Sequence, residues 1–135
     1  CYVKITDWNQ LEDGLLGITI EGLSKIHVLN SKINDSNLLC GTIEEIPDEK
    51  EYMIPQKYLI LSKFYKKIYP GIKNFINYKN ERYSDASWVG FRLTECLPLD
   101  SHTKNKLIAI NNGIERLEKL YEITNKVFKV EIQDL

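Results

Sequence analysis

The sequence predicts an α+β protein in which strands come first and helices second. Apolar and polar residues alternate between residues 16 and 28 and again from 38 to 46, which is the period of a strand with one buried face. From Leu61 onward the apolar residues recur every three or four positions, which is the period of a helix. The change falls near residue 50, after an acidic stretch that begins at Glu44. Residues 1–50 therefore read as a β-rich part, and residues 51–135 as a helical subdomain of the same domain.

Tyr2 to Thr6 forms a plausible first strand. Asp13-Gly14 suits a tight turn, and Leu16, Ile18 and Ile20 then share one strand face. Ile26 and Val28 continue the alternation, Asn34-Asp35-Ser36-Asn37 reads as a turn, and residues 38–46 make a further strand. About four antiparallel strands are expected in all. Pro55 suits the first position of a helix carrying Leu61, Phe64, Tyr65 and Ile68, with Pro70-Gly71 ending it. A further helical piece is expected around Ile72, Phe75 and Ile76, followed by a loop at Glu81-Arg82-Tyr83.

Three punctuated helices complete the chain. Ser84 can cap the first, whose Val89, Leu93, Cys96 and Leu97 fall on one face until Leu97-Pro98 stops it. Asp100 or Ser101 can cap a shorter helix with Leu107 and Ile110. Asn112, followed three residues later by Glu115, resembles a capping box for a helix that stacks Ile114, Leu117, Tyr121, Thr124 and Phe128.

Composition narrows the function. With 135 residues and 43% hydrophobic residue types, the chain is long enough for one domain with a true core. A net charge of -1 gives no global electrostatic case for nucleic acid or a membrane surface. No apolar run approaches the roughly 20 residues of a membrane helix. Cys1, Cys40 and Cys96 cannot all pair within the chain, and Cys96 belongs to a buried face, so a reducing cytoplasm is the simpler setting. His27 and His102 stand outside any zinc-type spacing and read as ordinary side chains. The carboxylates from Glu44 to Glu51 read as a solvated linker rather than a cation site or an acid–base pair, because consecutive charges in a loop containing Pro47 need not converge. The chain has no phosphate-binding G-x-x-x-x-G-K-(S/T) loop and no serine in a nucleophile setting. Neither catalysis nor a cofactor nor a metal is expected.

Two features call for a choice. Residues 52–82 carry seven bases against the single acid Glu81, with seven aromatics interleaved. Lys63, Lys66 and Lys67 could track the phosphates of a single strand while rings stack on its bases. A solvated basic helix face is the preferred reading, ahead of docking to an acidic partner, with nucleic acid third. Trp88 and Arg92, four residues apart on one helix, could form a peptide-binding hot spot. The preferred reading makes Trp88 a core plug and pairs Arg92 with Glu95 or Glu115.

The order of the motifs also resembles a family. Asp85-Ala86-Ser87-Trp88, Arg92-Leu93, Glu95, Leu97-Pro98-Leu99 and Glu115-Arg116-Leu117 look like that family's (D/E)-A-S-W, R-L-x-E-x-L-P-L and E-R-L segments. Asp7-Trp8, Leu11 and Asp13-Gly14-Leu15-Leu16-Gly17-Ile18 look like a second block. The family is the Lon-type substrate-binding domain, found at the N-terminus of ATP-dependent Lon proteases and as stand-alone bacterial proteins. The resemblance covers roughly residues 2 to 130. It implies a β-rich, PUA-like pseudo-barrel joined to a C-terminal helical bundle, the barrel type adding some weight to the RNA alternative. It also implies several strands upstream of Tyr2, so the sequence reads as the C-terminal two-thirds of such a domain, with a sheet edge open to self-association.

The expected activity is noncatalytic binding of unfolded or exposed apolar polypeptide segments in a bacterial cytoplasm. Trp8, Leu15, Leu16, Trp88, Phe91 and Arg92 are the candidate contacts, chosen on residue type and resemblance. The alternative is a PUA-like RNA-binding module using Lys63, Lys66 and Lys67.

Overall fold

A computed structural model describes residues 1–73 and 80–127. The chain divides into two compact units, Cys1–Asp48 and Glu49–Leu135, which take up the strands and the helices respectively.

The first unit is an antiparallel sheet of three strands, β1 (Tyr2–Gln10), β2 (Leu16–Ile33) and β3 (Leu39–Ile46), in the order β1-β2-β3. Gly14 lies at φ +83°, where a side chain would be strained, and its N–H donates to the Leu11 carbonyl at 2.9 Å. The Asp13 carboxylate accepts from the Leu15 N–H at 3.0 Å and fixes the same turn. Asn34 organises the second turn by accepting from Ser36 and Leu38, while Asn37 adopts a left-handed conformation at φ 59°, one that asparagine tolerates better than most residues.

The strand count differs from the expected four. Residues 16–33 form one continuous ribbon, pairing with β1 along its first half and with β3 along its second. Register shifts next to Val3, between Ile5 and Asp7, and between Val28 and Asn30 bend this ribbon without ending it. Gly22 and Ser24 thus lie within a strand.

The second unit begins with a one-turn 3₁₀ segment, Gln56–Tyr58, that runs into α1 (Leu59–Ile72). Pro55 stands just before that turn at φ -57°. Pro70 does not stop α1. It lies inside the last turn, and the Lys73 N–H still reaches the Tyr69 carbonyl at 2.9 Å. A proline removes its own N–H bond and its ring crowds the carbonyl four residues back, and the helix ends two residues later, at Ile72. Leu61, Tyr65 and Tyr69 form the buried stripe. Phe75 and Ile76 lie outside the described residues.

Helix α2 (Ala86–Cys96) is capped by Asp85, whose carboxylate accepts from the Ser87 N–H at 3.0 Å. The expected cap, Ser84, instead offers its carbonyl to the Ile54 N–H. The Ala86 N–H donates to the Tyr52 carbonyl at 2.8 Å, which ties the start of the unit to the start of α2. Leu97 ends α2 in extended backbone. Helix α3 (Ser101–Ala109) is capped by Asp100, which accepts from the Thr103 N–H and hydroxyl.

Helix α4 (Gly113–Val127) starts at Asn112, which accepts from the N–H groups of Ile114 and Glu115. A side chain on Gly113 would place its first carbon 2.5 Å from the Ser87 nitrogen, so only glycine lets α4 begin against the first turn of α2. The core joins Leu61, Tyr65, Val89, Leu93, Leu97, Leu107, Leu117 and Leu120. Ile114 and Tyr121 lie at its margin, and Phe128 falls outside the described residues.

Candidate functional site

The pairing of β1 with β2 sorts the first hairpin into two unlike faces. Residues opposite each other across a ladder point to the same side. Val3 faces Gly22, Ile5 faces Ile20 and Trp8 faces Ile18, so one side carries Val3, Ile5, Trp8, Leu16, Ile18 and Ile20. Lys4 faces Glu21, Asp7 faces Thr19 and Asn9 faces Gly17, so the other side is polar. All six apolar side chains are exposed, Trp8 to 68%. The alternation between residues 16 and 20 thus marks an apolar face as expected, but the face is uncovered rather than buried. Among the described residues β2 pairs with β1 up to Ser24 and with β3 from Lys25, which leaves stretches of its ladder edges unpaired there.

The helical unit places most of its described apolar residues inside, around a buried ion pair. Arg116 on α4 is fully buried and Glu49, the first residue of the unit, nearly so. The guanidinium meets the carboxylate in bidentate fashion, Nη1 donating to Oε2 at 2.9 Å and Nη2 to Oε1. The Ser87 hydroxyl donates to the same carboxylate. Arg116 also donates from Nε to the Leu107 carbonyl at 2.9 Å and from Nη2 to the Ile110 carbonyl, which satisfies acceptors at the end of α3 that a helix leaves unpaired. Phe91 stacks on the guanidinium at 3.7 Å. Glu49 is therefore a structural partner and not part of a solvated linker, and the expectation for that stretch is corrected there.

A cleft of about 590 Å³ opens between α1 and residues 81–85 and is lined by Ser62, Lys63, Lys66, Arg82, Tyr83 and Asp85 among others. Its charges are mixed and largely answered. Arg82 pairs with Glu51 and lies 3.6 Å from Asp85, and Lys66 sits over the Tyr83 ring at 4.8 Å. Burial and a hydrogen bond to Glu81 push the Tyr83 phenol up to about 12. Burial, with Cys96 close by, raises Tyr65 further, and no hydrogen-bond partner reaches its hydroxyl among the described residues. Burial also raises the Cys96 thiol, which keeps it protonated and unreactive. Among the described residues no group of three or more His, Cys, Asp or Glu converges in a metal-binding arrangement, and no helix is long and apolar enough to cross a membrane.

The sequence-derived candidates thus separate. Trp8, Leu15 and Leu16 are exposed on the sheet unit. Trp88 is 8% exposed and packs edge-on against Tyr65 and Tyr83 at ring separations of 5.5 and 5.4 Å, a core position. Phe91 is engaged by Arg116, and Arg92 pairs with Glu95 at 3.5 Å. Lys63 and Lys66 line the cleft, whereas Lys67 is exposed outside it. Sequence reasoning missed Val3, Ile5, Ile18 and Ile20 as members of the exposed face; their alternation was the available signal.

The chain superposes on the crystal structure of a Lon N-terminal domain protein from Xanthomonas campestris with a TM-score of 0.70. The fold is that of a Lon N-terminal domain. The match covers 89% of this chain and 64% of the Xanthomonas protein, at 23% sequence identity, so this chain spans a little under two thirds of that protein's length. At that identity the likeness carries the Lon N-terminal fold and not the roles of individual residues. No family model and no curated protein sequence matches the chain.

Proposed function

We propose that this chain is a noncatalytic polypeptide-binding domain of the Lon N-terminal type, which captures unfolded or exposed apolar segments. The observation that carries the reading is the one-sided apolar face of the first hairpin beside an open ladder edge. An extended segment laid along such an edge gains main-chain hydrogen bonds, and its alternate side chains gain apolar cover. Trp8, Leu15 and Leu16 are the contacts in this reading. Trp88, Phe91 and Arg92 support the helical unit instead.

The sheet in this reading is part of a PUA-like pseudo-barrel, and the parts before and after residue 50 belong to one domain that works in protein quality control in a bacterial cytoplasm. The Lon N-terminal fold and the absence of any recognised ATPase or protease motif in the sequence support it.

The test titrates the protein with a denatured model polypeptide and with single-stranded RNA, each at low and raised salt. Apolar capture persists as salt rises, whereas phosphate binding weakens steeply. The double variant W8A/I18A is expected to lose polypeptide affinity roughly tenfold or more. Tight, salt-sensitive RNA binding without polypeptide binding would overturn the proposal.

A further inference from the structure

The cleft of the helical unit carries two cations that no acid answers. Helix α1 holds three lysines, Lys63, Lys66 and Lys67, and no acid. Lys63 and Lys66, one turn apart, stand on the cleft wall that faces residues 81–85. The three acids of the lining are already engaged. Glu51 pairs with Arg82, Glu81 accepts from the Tyr83 hydroxyl, and Asp85 caps α2 through Oδ1 while Arg82 lies 3.6 Å from its Oδ2. Lys66 rests over the Tyr83 ring, and neither it nor Lys63 has an ion-pair partner among the described residues.

Two ammonium groups on neighbouring turns can donate to the two oxygens of one carboxylate. The facing wall decides between classes of anion. A nucleic acid strand brings a phosphate with every nucleotide, and Glu51, Glu81 and Asp85 would repel those that flank the lysines. A single carboxylate between uncharged neighbours avoids that repulsion. Asp85 adds a second requirement, because it is 6% exposed and its Oδ2 accepts no hydrogen bond among the described residues. Its charge is answered by Arg82, but a buried acceptor calls for a donor as well. An acidic residue in a polypeptide brings both groups, a carboxylate for the lysines and a main-chain N–H for the facing wall. The cleft volume of about 590 Å³ lies within the roughly 300–1,000 Å³ of ligand sites. We propose that this cleft binds an acidic residue, Glu or Asp, of a polypeptide through Lys63 and Lys66. The site lies within the helical unit and reads charge, so it stands or falls separately from the apolar capture proposed for the sheet.

The test titrates the isotope-labelled chain with a peptide whose glutamates are spaced by neutral residues, with its Gln counterpart, and with a short single-stranded RNA, reading amide shifts by NMR. The Glu peptide is expected to shift residues 62–66 and 81–85, with an affinity roughly threefold or more above that of the Gln peptide and falling as salt rises. K63E/K66E should abolish these shifts, and the milder K63Q/K66Q should lower the affinity to that of the Gln peptide. K67E makes the same change of charge on α1 outside the cleft and should alter the affinity by less than about twofold. W8A/I18A should leave it unchanged. All three lysines are exposed, and far-ultraviolet circular dichroism verifies that each variant folds. Equal binding of the Glu and Gln peptides, a loss in K67E as large as in K63Q/K66Q, shifts that map elsewhere, or tighter binding of the RNA in this cleft would each overturn the proposal.

Discussion

The two tryptophans show how differently the two units use apolar side chains. Trp88 is 8% exposed among tyrosines in the helical unit, whereas Trp8 is 68% exposed on the sheet. The helical unit hides its apolar stripes, satisfies its helix ends with Asp85, Asp100, Asn112 and Arg116, and buries the Glu49–Arg116 ion pair with several supporting hydrogen bonds. The sheet unit satisfies its turns equally well yet leaves a whole apolar face in water. Backbone order and apolar burial are thus separable within one chain.

The sharpest way to break this contrast is to remove what the helical unit hides. Trp88→Ala should destabilise it by about 3–5 kcal/mol, read as a lowered urea midpoint. Arg116→Met should cost about 3–5 kcal/mol by leaving Glu49 buried without its partner, and E49Q/R116M should recover part of that loss if the pair acts as a unit. Gly113→Ala forces a carbon toward the Ser87 backbone and should cost about 1–3 kcal/mol.

Alkaline pH probes the same interior. Tyr83 is raised from 10.0 to about 12, and Tyr65 is raised as well, so above pH 10 the folded state keeps phenolic protons that the unfolded chain releases. The stability from this source is whole below pH 10 and declines as pH rises toward 12. A series of urea melts should show the decline, and Tyr83→Phe should flatten part of it. The smallest effect belongs to the sheet: Trp8→Ala should change stability by no more than about 0.5 kcal/mol. A large loss of stability in Trp8→Ala would mean that its ring is covered after all, and the contrast would collapse.

The helical unit was more legible in the sequence than the sheet because its signals are local. The spacing of Val89, Leu93 and Leu97 identified a buried face, and Asp100 and Asn112 identified helix starts, since a cap and a turn of helix involve residues three or four apart. Pro70 misled because position within a helix decides its effect, and the sequence does not show how many turns precede it. Glu49 misled for the opposite reason: among neighbouring acids it looks solvated, and its partner Arg116 lies 67 residues away. On the sheet, alternation correctly separated an apolar side from a polar one. It could not show that the apolar side is uncovered, because the pattern that seeks a core and the pattern that seeks a partner are written with the same residues.

The clamp on Glu49 has a mechanical consequence. Helical assemblies usually unravel from their ends, but this one is gripped at its opening residue by a guanidinium that also holds the end of α3. Tension arriving along the backbone from the sheet side would meet the strongest polar junction of the unit first. A nick by a protease at residues 44–48 should accordingly release a resistant helical fragment rather than start its collapse.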